Sequence, residues 1–394
     1  MLGRSLLFAH DDWVSFDDED RPVSLNYSRK LVERYLYLAD RVVFAVRGEA
    51  PRQIRWFEDA EIRCLPDMKH GLNPLRSLSL QRVIDQLVKE NDIIVARLPS
   101  LIGSWALRSA WRQNTPVMVE MVGCPWDALW NHSLKGKLVA PWFWVKNRRL
   151  LRRSRHTVYV TDKFLQDRYP TQGHSIACSN VEATPVSESE LESRLNRVAT
   201  LATQQQIILG TIANLDVPYK GHDLVLRALA ALSDGSPRYI YRMIGPGNPA
   251  RLKDMARTLG VADRIEFAGA IPKSDIDSAL DDIDVYIQPS RQEGLPRALL
   301  EAMSRGCIAV GVRTGGIPEL LSEPWLVPRN DWQGIAELFE HLLDHDLVSL
   351  VRNNVETASR YRFDILERRR QEFYDDFLSD HGLSTSVSAP DRGI

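Results

Sequence analysis

Residues 284–319, DVYIQPSRQEGLPRALLEAMSRGCIAVGVRTGGIPE, leave little choice of local structure. The apolar run DVYIQPS reads as a buried strand that enters the polar turn RQEG. Pro296 follows, and its missing N–H suits the first turn of a helix, where that donor would be unpaired anyway. The helical stretch PRALLEAMSR is stopped by Gly306, a residue type common just past a helix end. A second buried strand, CIAVGV, comes next, then a Gly-Gly turn and another helix start. Glu293 sits in the turn and Glu301 about one and a half turns into the helix. Both carboxylates can face the crevice at the strand's carboxyl end, where open α/β sheets bind ligands. The first amides of the helix point there too and offer a site for a phosphate.

The same alternation runs along the rest of the chain. Strand candidates SLLFA, RVVFAV, DIIVARLP, PVMVEMV and HTVYVT are separated by stretches such as SRKLVERYLYLA and SLQRVIDQLVKE, with apolar residues at three- and four-residue steps. After a polar segment near 178–206, IILGTIA, YIYRMIG, RIEFAGA and DVYIQPS alternate with helical stretches again. Strand–helix alternation predicts an α/β fold with parallel, helix-covered sheets. With 394 residues the chain is too long for one ordinary core. We therefore expect an N-terminal Rossmann-like domain over 1–190 and a second over 191–370. A terminal charged helix and polar tail should occupy 371–394.

The segment 284–319 resembles the E-x7-E signature of retaining nucleotide-sugar glycosyltransferases, family 4 of the GT-B fold. The likeness covers the strand, both glutamates, Gly294, Ala302, Gly306 and GGIPE. It implies two doubly wound domains facing a central cleft, with the terminal helix crossing back onto the first. It implies that Glu293 meets the donor sugar near the reacting carbon and that Glu301 binds the ribose hydroxyls. Lys220, with the amides of Gly294 and Leu295, would hold the pyrophosphate and stabilise its departing charge without a metal. No cofactor is implied, because the nucleotide sugar is a substrate. The likeness extends to Gly245 in RMIGPGN, where a glycine lets backbone approach a ligand.

The chain departs from the pattern in two places. Where the family carries Gly-Arg after its strand, this sequence has Ala213-Asn214, which removes a cation; Arg291 is the nearest replacement in sequence. Where the family places a histidine after a central strand of the first domain, this chain reads VEMVGCPWDALW. There Asp127 could position or deprotonate an acceptor hydroxyl, or it could be a helix cap. Arg97, at a strand's carboxyl end, could meet an acceptor phosphate or pair with a neighbour. His10, ending the first strand, could face the cleft or be structural.

Other features set bounds. A net charge of −2 argues against bulk attraction to nucleic acid, and no nucleic-acid motif is present. Cys64, Cys124, Cys178 and Cys307 lack metal-ligand spacing and read as reduced structural thiols. The acids at 11, 12 and 17–20 match no metal loop and read as solvated. No signal peptide or apolar span is evident, so a cytosolic protein is expected. Between Asn131 and Thr161 there is no acid, while basic residues interleave with Trp142, Phe143 and Trp144. Segment 135–155 thus reads as a contact for anionic lipid at the inner face of a membrane. The expected activity is retaining transfer of a hexose from a UDP- or GDP-sugar to a glycan or lipid-linked acceptor in surface polysaccharide synthesis. A non-catalytic partner subunit, or an epimerase or phosphorylase of the same fold, is the alternative.

Overall fold

The computed structural model describes residues 3–17, 22–23, 28–48, 52–66, 74–131, 133–233 and 236–384. Two sheets organise it. The first contains β1 Ser5–Trp13, β4 Arg41–Gly48, β5 Arg52–Phe57, β6 Ala60–Pro66, β7 Ile93–Leu98, β8 Val117–Met121, β9 His156–Tyr159 and β10 His174–Ala177. A short ribbon, β2 Ser15–Phe16 with β3 Pro22–Val23, stands apart from it. The second contains β11 Ile207–Ile212, β12 Tyr239–Ile244, β13 Ile265–Gly269, β14 Val285–Gln288, β15 Ile308–Val312 and β16 Leu326–Val327.

The spatial order of the first sheet is β10-β9-β8-β7-β1-β4-β6-β5 and of the second β13-β12-β11-β14-β15-β16. Every pairing is parallel except β5–β6, an edge hairpin that the sequence reading did not anticipate. In both sheets the order reverses beside the first strand, between β1 and β7 and between β11 and β14. Crossover helices leave to opposite faces there, which opens a crevice at the carboxyl ends.

The helices are α1 Arg29–Leu36, α2 Pro74–Lys89, α3 Leu101–Gln113, α4 Pro125–Trp130, α5 Leu134–Arg153, α6 Phe164–Arg168, α7 Glu188–Ala199 and α8 His222–Ala231. They continue with α9 Ala250–Thr258, α10 Ile276–Asp281, α11 Arg297–Ser304, α12 Ile317–Leu320, α13 Trp332–Glu340, α14 Leu347–Ser359 and α15 Phe363–Asp380. Strand side chains alternate between faces. Accordingly Leu7, Ala9, Val43, Ala45 and Ile94 pack into one cluster, while Leu6, Phe8, Val42, Phe44 and Val95 pack into another.

The chain crosses between the sheets where Ala183 pairs with Arg362. Helix α7 then packs on the second unit, because Arg194 donates to the carbonyls of Ile283 (2.7 Å) and Leu280 (2.9 Å). Its start is fixed by a capping box between Ser187 and Glu190. Helix α15 returns to the first unit and runs unbroken through residue 371. Arg369 and Arg370 donate to the carbonyls of Ala177 (2.8 Å) and Ser179 (3.1 Å), and Phe373, Tyr374 and Phe377 are buried beneath them. Residues 385–394 of the expected tail lie outside the described residues.

Candidate functional site

The reversal point of the first sheet opens onto a cavity of 720 Å³ that reaches α11 of the second unit. From the first unit it is lined by His10, which lies within β1 where its register shifts and does not end the strand, and by Arg97 near the end of β7; from the second, by Lys273, Arg297 and Glu301. Helix α11 begins at Arg297 with Pro296 as its N-cap, one residue beyond the sequence reading. Its third and fourth residues, Leu299 and Leu300, are fully buried and anchor it on β14 and β15. That anchoring turns Glu301 toward the cavity.

Glu301 is half-buried, and its carboxylate has no hydrogen-bond or ion-pair partner among the described residues. Burial pushes its carboxyl up; Arg297 and Lys273 act in the opposite direction. Arg297 and Lys273 make no ion pair among the described residues either. An unpaired acid beside two unpaired cations is a polar surface waiting for a partner. These two cations were missed in the sequence, although Arg297 is the first helical residue after the marked proline.

Glu293 is placed differently. Its Oε1 accepts from Lys220 Nζ at 2.7 Å and from Gln288 Nε2 at 3.0 Å. Gln288 in turn accepts from the buried Tyr286 hydroxyl at 3.0 Å. Tyr286 accepts from the Ile212 amide at 3.3 Å. A hydrogen-bonded chain therefore runs from the end of β11 through β14 to Glu293 and Lys220. Lys220 is held by Gly221, whose φ is +79°; a Cβ there would lie 2.0 Å from the Pro289 carbonyl. On the other side of the turn, Gly315 has φ +58°, and a Cβ would lie 2.2 Å from the Glu293 carbonyl. The Gly316 amide donates to Gly294 O at 2.7 Å. Gly294 itself approaches the first unit, where a Cβ would meet Val122 O at 3.2 Å, and Leu295 is buried beside it.

Several expected residues are not brought to this cavity. Arg291 is spent on Asp223 through two bonds of 2.8 and 2.7 Å, and on Pro218 O and Asn330. It braces the loop and does not replace the missing cation. Asn214 closes the loop after β11, its Oδ1 accepting from the Asp216 amide at 2.8 Å. Gly245 stacks on that loop, since a Cβ would meet Ala213 O at 2.1 Å. Asp127 is neither cap nor exposed base: Cys124 caps α4, and the Asp127 carboxylate is 2% exposed and faces Arg168 at 3.4 Å. Of the acids at 11, 12 and 17–20, Asp11 lies within β1 and accepts from the first amides of α3, Leu101 and Ile102, at 2.6 and 2.8 Å. Asp18, Glu19 and Asp20 lie outside the described residues.

Arg97 lines the cavity with its charge already paired. Its Nη2 lies 2.8 Å from Glu120, and Tyr35 OH donates to the same carboxylate at 2.7 Å. Burial opposes the Glu120 charge, yet Arg97 and Arg34 hold its carboxyl below the usual range. His10 is pushed down to about 3, first by burial and then by Arg97 and Arg47, so its imidazole is neutral at physiological pH. His222, buried behind Lys220 and bonded to Tyr241 OH at 2.8 Å, is pushed down to about 4 by burial.

Residues 193–361 match the family "Glycosyl transferases group 1". The chain is 24% identical to Protein CapJ of Staphylococcus aureus over 97% of this chain and 99% of that protein. It is 34% identical to the putative colanic acid biosynthesis glycosyltransferase WcaL of Salmonella typhimurium, over 34% of this chain and 36% of WcaL. Its fold is that of Anabaena HepE in complex with UDP, with a TM-score of 0.65 at 16% identity, covering 95% of this chain and 100% of that one.

Two outcomes follow from this packing. Gly315→Ala should destabilise by more than about 1 kcal/mol, because a positive φ and a carbonyl both oppose the methyl; chemical denaturation reads this. The depressed His222 makes the unfolded chain bind a proton that the fold refuses, so stability falls as pH drops from 6.5 to about 4. His222→Gln should remove up to about 1.4 kcal/mol per pH unit from that slope, read from denaturation midpoints across the range.

Proposed function

We propose that the chain, whose residues 193–361 match the group 1 glycosyl transferases, is a glycosyltransferase that transfers a hexose from a nucleoside-diphosphate sugar, with retention, to a growing or lipid-linked surface polysaccharide. The observation that carries the donor reading is the pair of glutamates on one strand–turn–helix unit. Glu301 is unpaired and half-buried, whereas Glu293 is locked to Lys220 at 2.7 Å.

Glu301 accepts hydrogen bonds from the ribose hydroxyls, exchanging its burial penalty for two neutral donors. The diphosphate competes with Glu293 for Lys220 and is held by the amides of Gly294 and Leu295. Arg297 and Lys273 supply the positive potential that Asn214 does not. Glu293, freed from Lys220 but kept in place by Gln288, meets the sugar near the reacting carbon. Departure of the nucleotide is then favoured by charge already positioned, which costs no reorganisation at the moment of reaction. The acceptor enters past Arg97 and His10, whose neutral imidazole could accept a hydroxyl proton only transiently.

The acceptor class is supported by WcaL, named for colanic acid biosynthesis, and UDP as donor base by the nucleotide bound in HepE. Helix α5 presents Leu134, Leu138 and Trp142 in the open, flanked by lysines and arginines, which supports contact with the inner face of an anionic membrane. No described helix is long and apolar enough to cross one.

A thermal-shift panel of UDP, GDP, ADP and CMP tests the donor site. A ligand at about 100 times its dissociation constant should stabilise by roughly 2.7 kcal/mol. One nucleotide should do so, and Glu301→Ala should abolish the shift; no response to any of the four would instead favour a non-catalytic partner subunit. Proton NMR of the product linkage tests retention, since an inverted anomer is incompatible with the mechanism above.

A further inference from the structure

A second hollow, of 530 Å³, lies between α3 and α5 and shares no lining residue with the central cavity. Five cations converge on it: Arg108 and Arg112 from α3, and Lys146, Arg149 and Arg153 from α5. No carboxylate lines it. Arg112 pairs with Asp85 at 2.6 Å outside the hollow, but Arg108, Arg149 and Arg153 have no carboxylate partner among the described residues. Converging like charges that are not fully compensated raise the free energy of the fold. Consistent with this, burial and Arg108 push the Lys146 ammonium down to about 8, although Asp11 acts in the opposite direction.

The walls orient these charges. Arg153 lies 5.0 Å from the ring centre of Trp111, and Lys146 lies 5.5 Å from that of Trp142. Such cation–π contacts hold the basic groups in place without neutralising them. Guanidinium groups so arranged match the oxygens of a phosphate, which accept paired hydrogen bonds. The hollow is too roomy for a bare phosphate, and Trp111, Trp142, Val145 and Leu150 give it apolar walls.

The face of α5 continues this chemistry in one direction. Residues 134, 138 and 142 stand one helical turn apart on the same side as 146, 149 and 153. Leu134 is 79% exposed, Leu138 83% and Trp142 61%. One helix face therefore changes along its length from an open apolar ridge to a basic hollow. Trp142 belongs to both.

We propose that the hollow between α3 and α5 binds the phosphate group of an amphiphile whose hydrocarbon lies along Leu134, Leu138 and Trp142. Phosphate oxygens replace the missing counter-charge between Arg108, Arg149 and Arg153, and the chain covers the exposed ridge. The site rests on the proposed lipid contact of this helix and is independent of the donor site. Two sources carry this chemistry, a bilayer phospholipid and a single lipid-linked phosphate.

Binding by the full-length protein is measured in three arms: calorimetry with farnesyl phosphate below its micellar concentration, calorimetry with inorganic pyrophosphate, and co-sedimentation with phosphatidylcholine vesicles with and without phosphatidylglycerol. Farnesyl phosphate should bind, weakening at least about tenfold in Arg149→Ala/Arg153→Ala. It should weaken also in Leu138→Ser and remain unchanged in Lys220→Ala, which reports the donor site. Binding of farnesyl phosphate without vesicle binding identifies a lipid-linked phosphate as the source and removes the membrane reading. Sedimentation only with phosphatidylglycerol vesicles, lost in the double arginine variant, identifies the bilayer. Vesicle binding that survives the double variant leaves the membrane reading standing and overturns the site. Pyrophosphate binding as tight as that of farnesyl phosphate, and indifferent to Leu138→Ser, overturns the amphiphile assignment. No binding in any arm overturns the proposal outright.

Discussion

The turn that carries Glu293 is held between two backbones that only glycine allows to come so close. Gly221 presses on Pro289 from one side and Gly315 on Glu293 from the other, each with φ in the left-handed region. Neither contact leaves room for a methyl. Together they set the height of the turn above the sheet and hence the reach of Lys220 to Glu293. The rest of the second unit is arranged around that sandwich. Strand β14 supplies Gln288 and Tyr286 beneath it, α11 leaves it in the direction that exposes Glu301, and α12 starts directly below.

The same turn region ties the two units together. Glu319, two residues into α12, accepts from three consecutive amides at the start of α6: Asp162, Lys163 and Phe164, at 2.5, 3.0 and 2.7 Å. A carboxylate on the open amides of a helix start is favourable in both hydrogen bonding and dipole alignment. Tyr361, at the return crossing, donates to Asp162 at 3.3 Å. Because Gly316 and Glu319 sit on one short element, the geometry that orients Glu293 also fixes where the first unit stands. A shift of one unit over the other is therefore felt at the Glu293–Lys220 pair.

Much of this was legible in the chain because it is local. The strand–turn–helix–strand of 284–319 is written in residue types with single meanings: Pro296 before a helix, Gly306 at +73° after it, and apolar runs between. Lys220 next to Gly221 was readable for the same reason. What failed depended on partners far away in sequence. Arg291 looked like a spare cation until Asp223, 68 residues away, claimed it. Asp127 looked like a helix start or a base until Arg168 covered it, 41 residues on. The β5–β6 hairpin carries no turn glycine between RQIRWF and AEIRCLP, so nothing local marked it. Arg297 opens α11 and Lys273 sits in the turn after β13, and only the folded sheet brings both to Glu301.

Asn214 shows how the loss of one charge can follow from a gain elsewhere. Its Oδ1 shapes the turn to Asp216, and Asp216 Oδ1 then accepts from the Asn248 amide at 2.9 Å. The loops after β11 and β12 are stitched together by this relay. Gly247, at φ +112°, completes it, since a Cβ there would press on both Asp216 and Asn214. An arginine at 214 could reach an anion but could not close that turn, because its side chain carries no acceptor. Cations that need only reach, not shape, a loop can sit elsewhere, and Arg297 and Lys273 line the cavity beside Glu301. Positive potential in a shared, partly desolvated cleft depends on distance to the ligand and hardly on which strand supplies it. At 214 the chain thus carries an acceptor that orders the loop where a cation would leave the Asp216 amide unmatched.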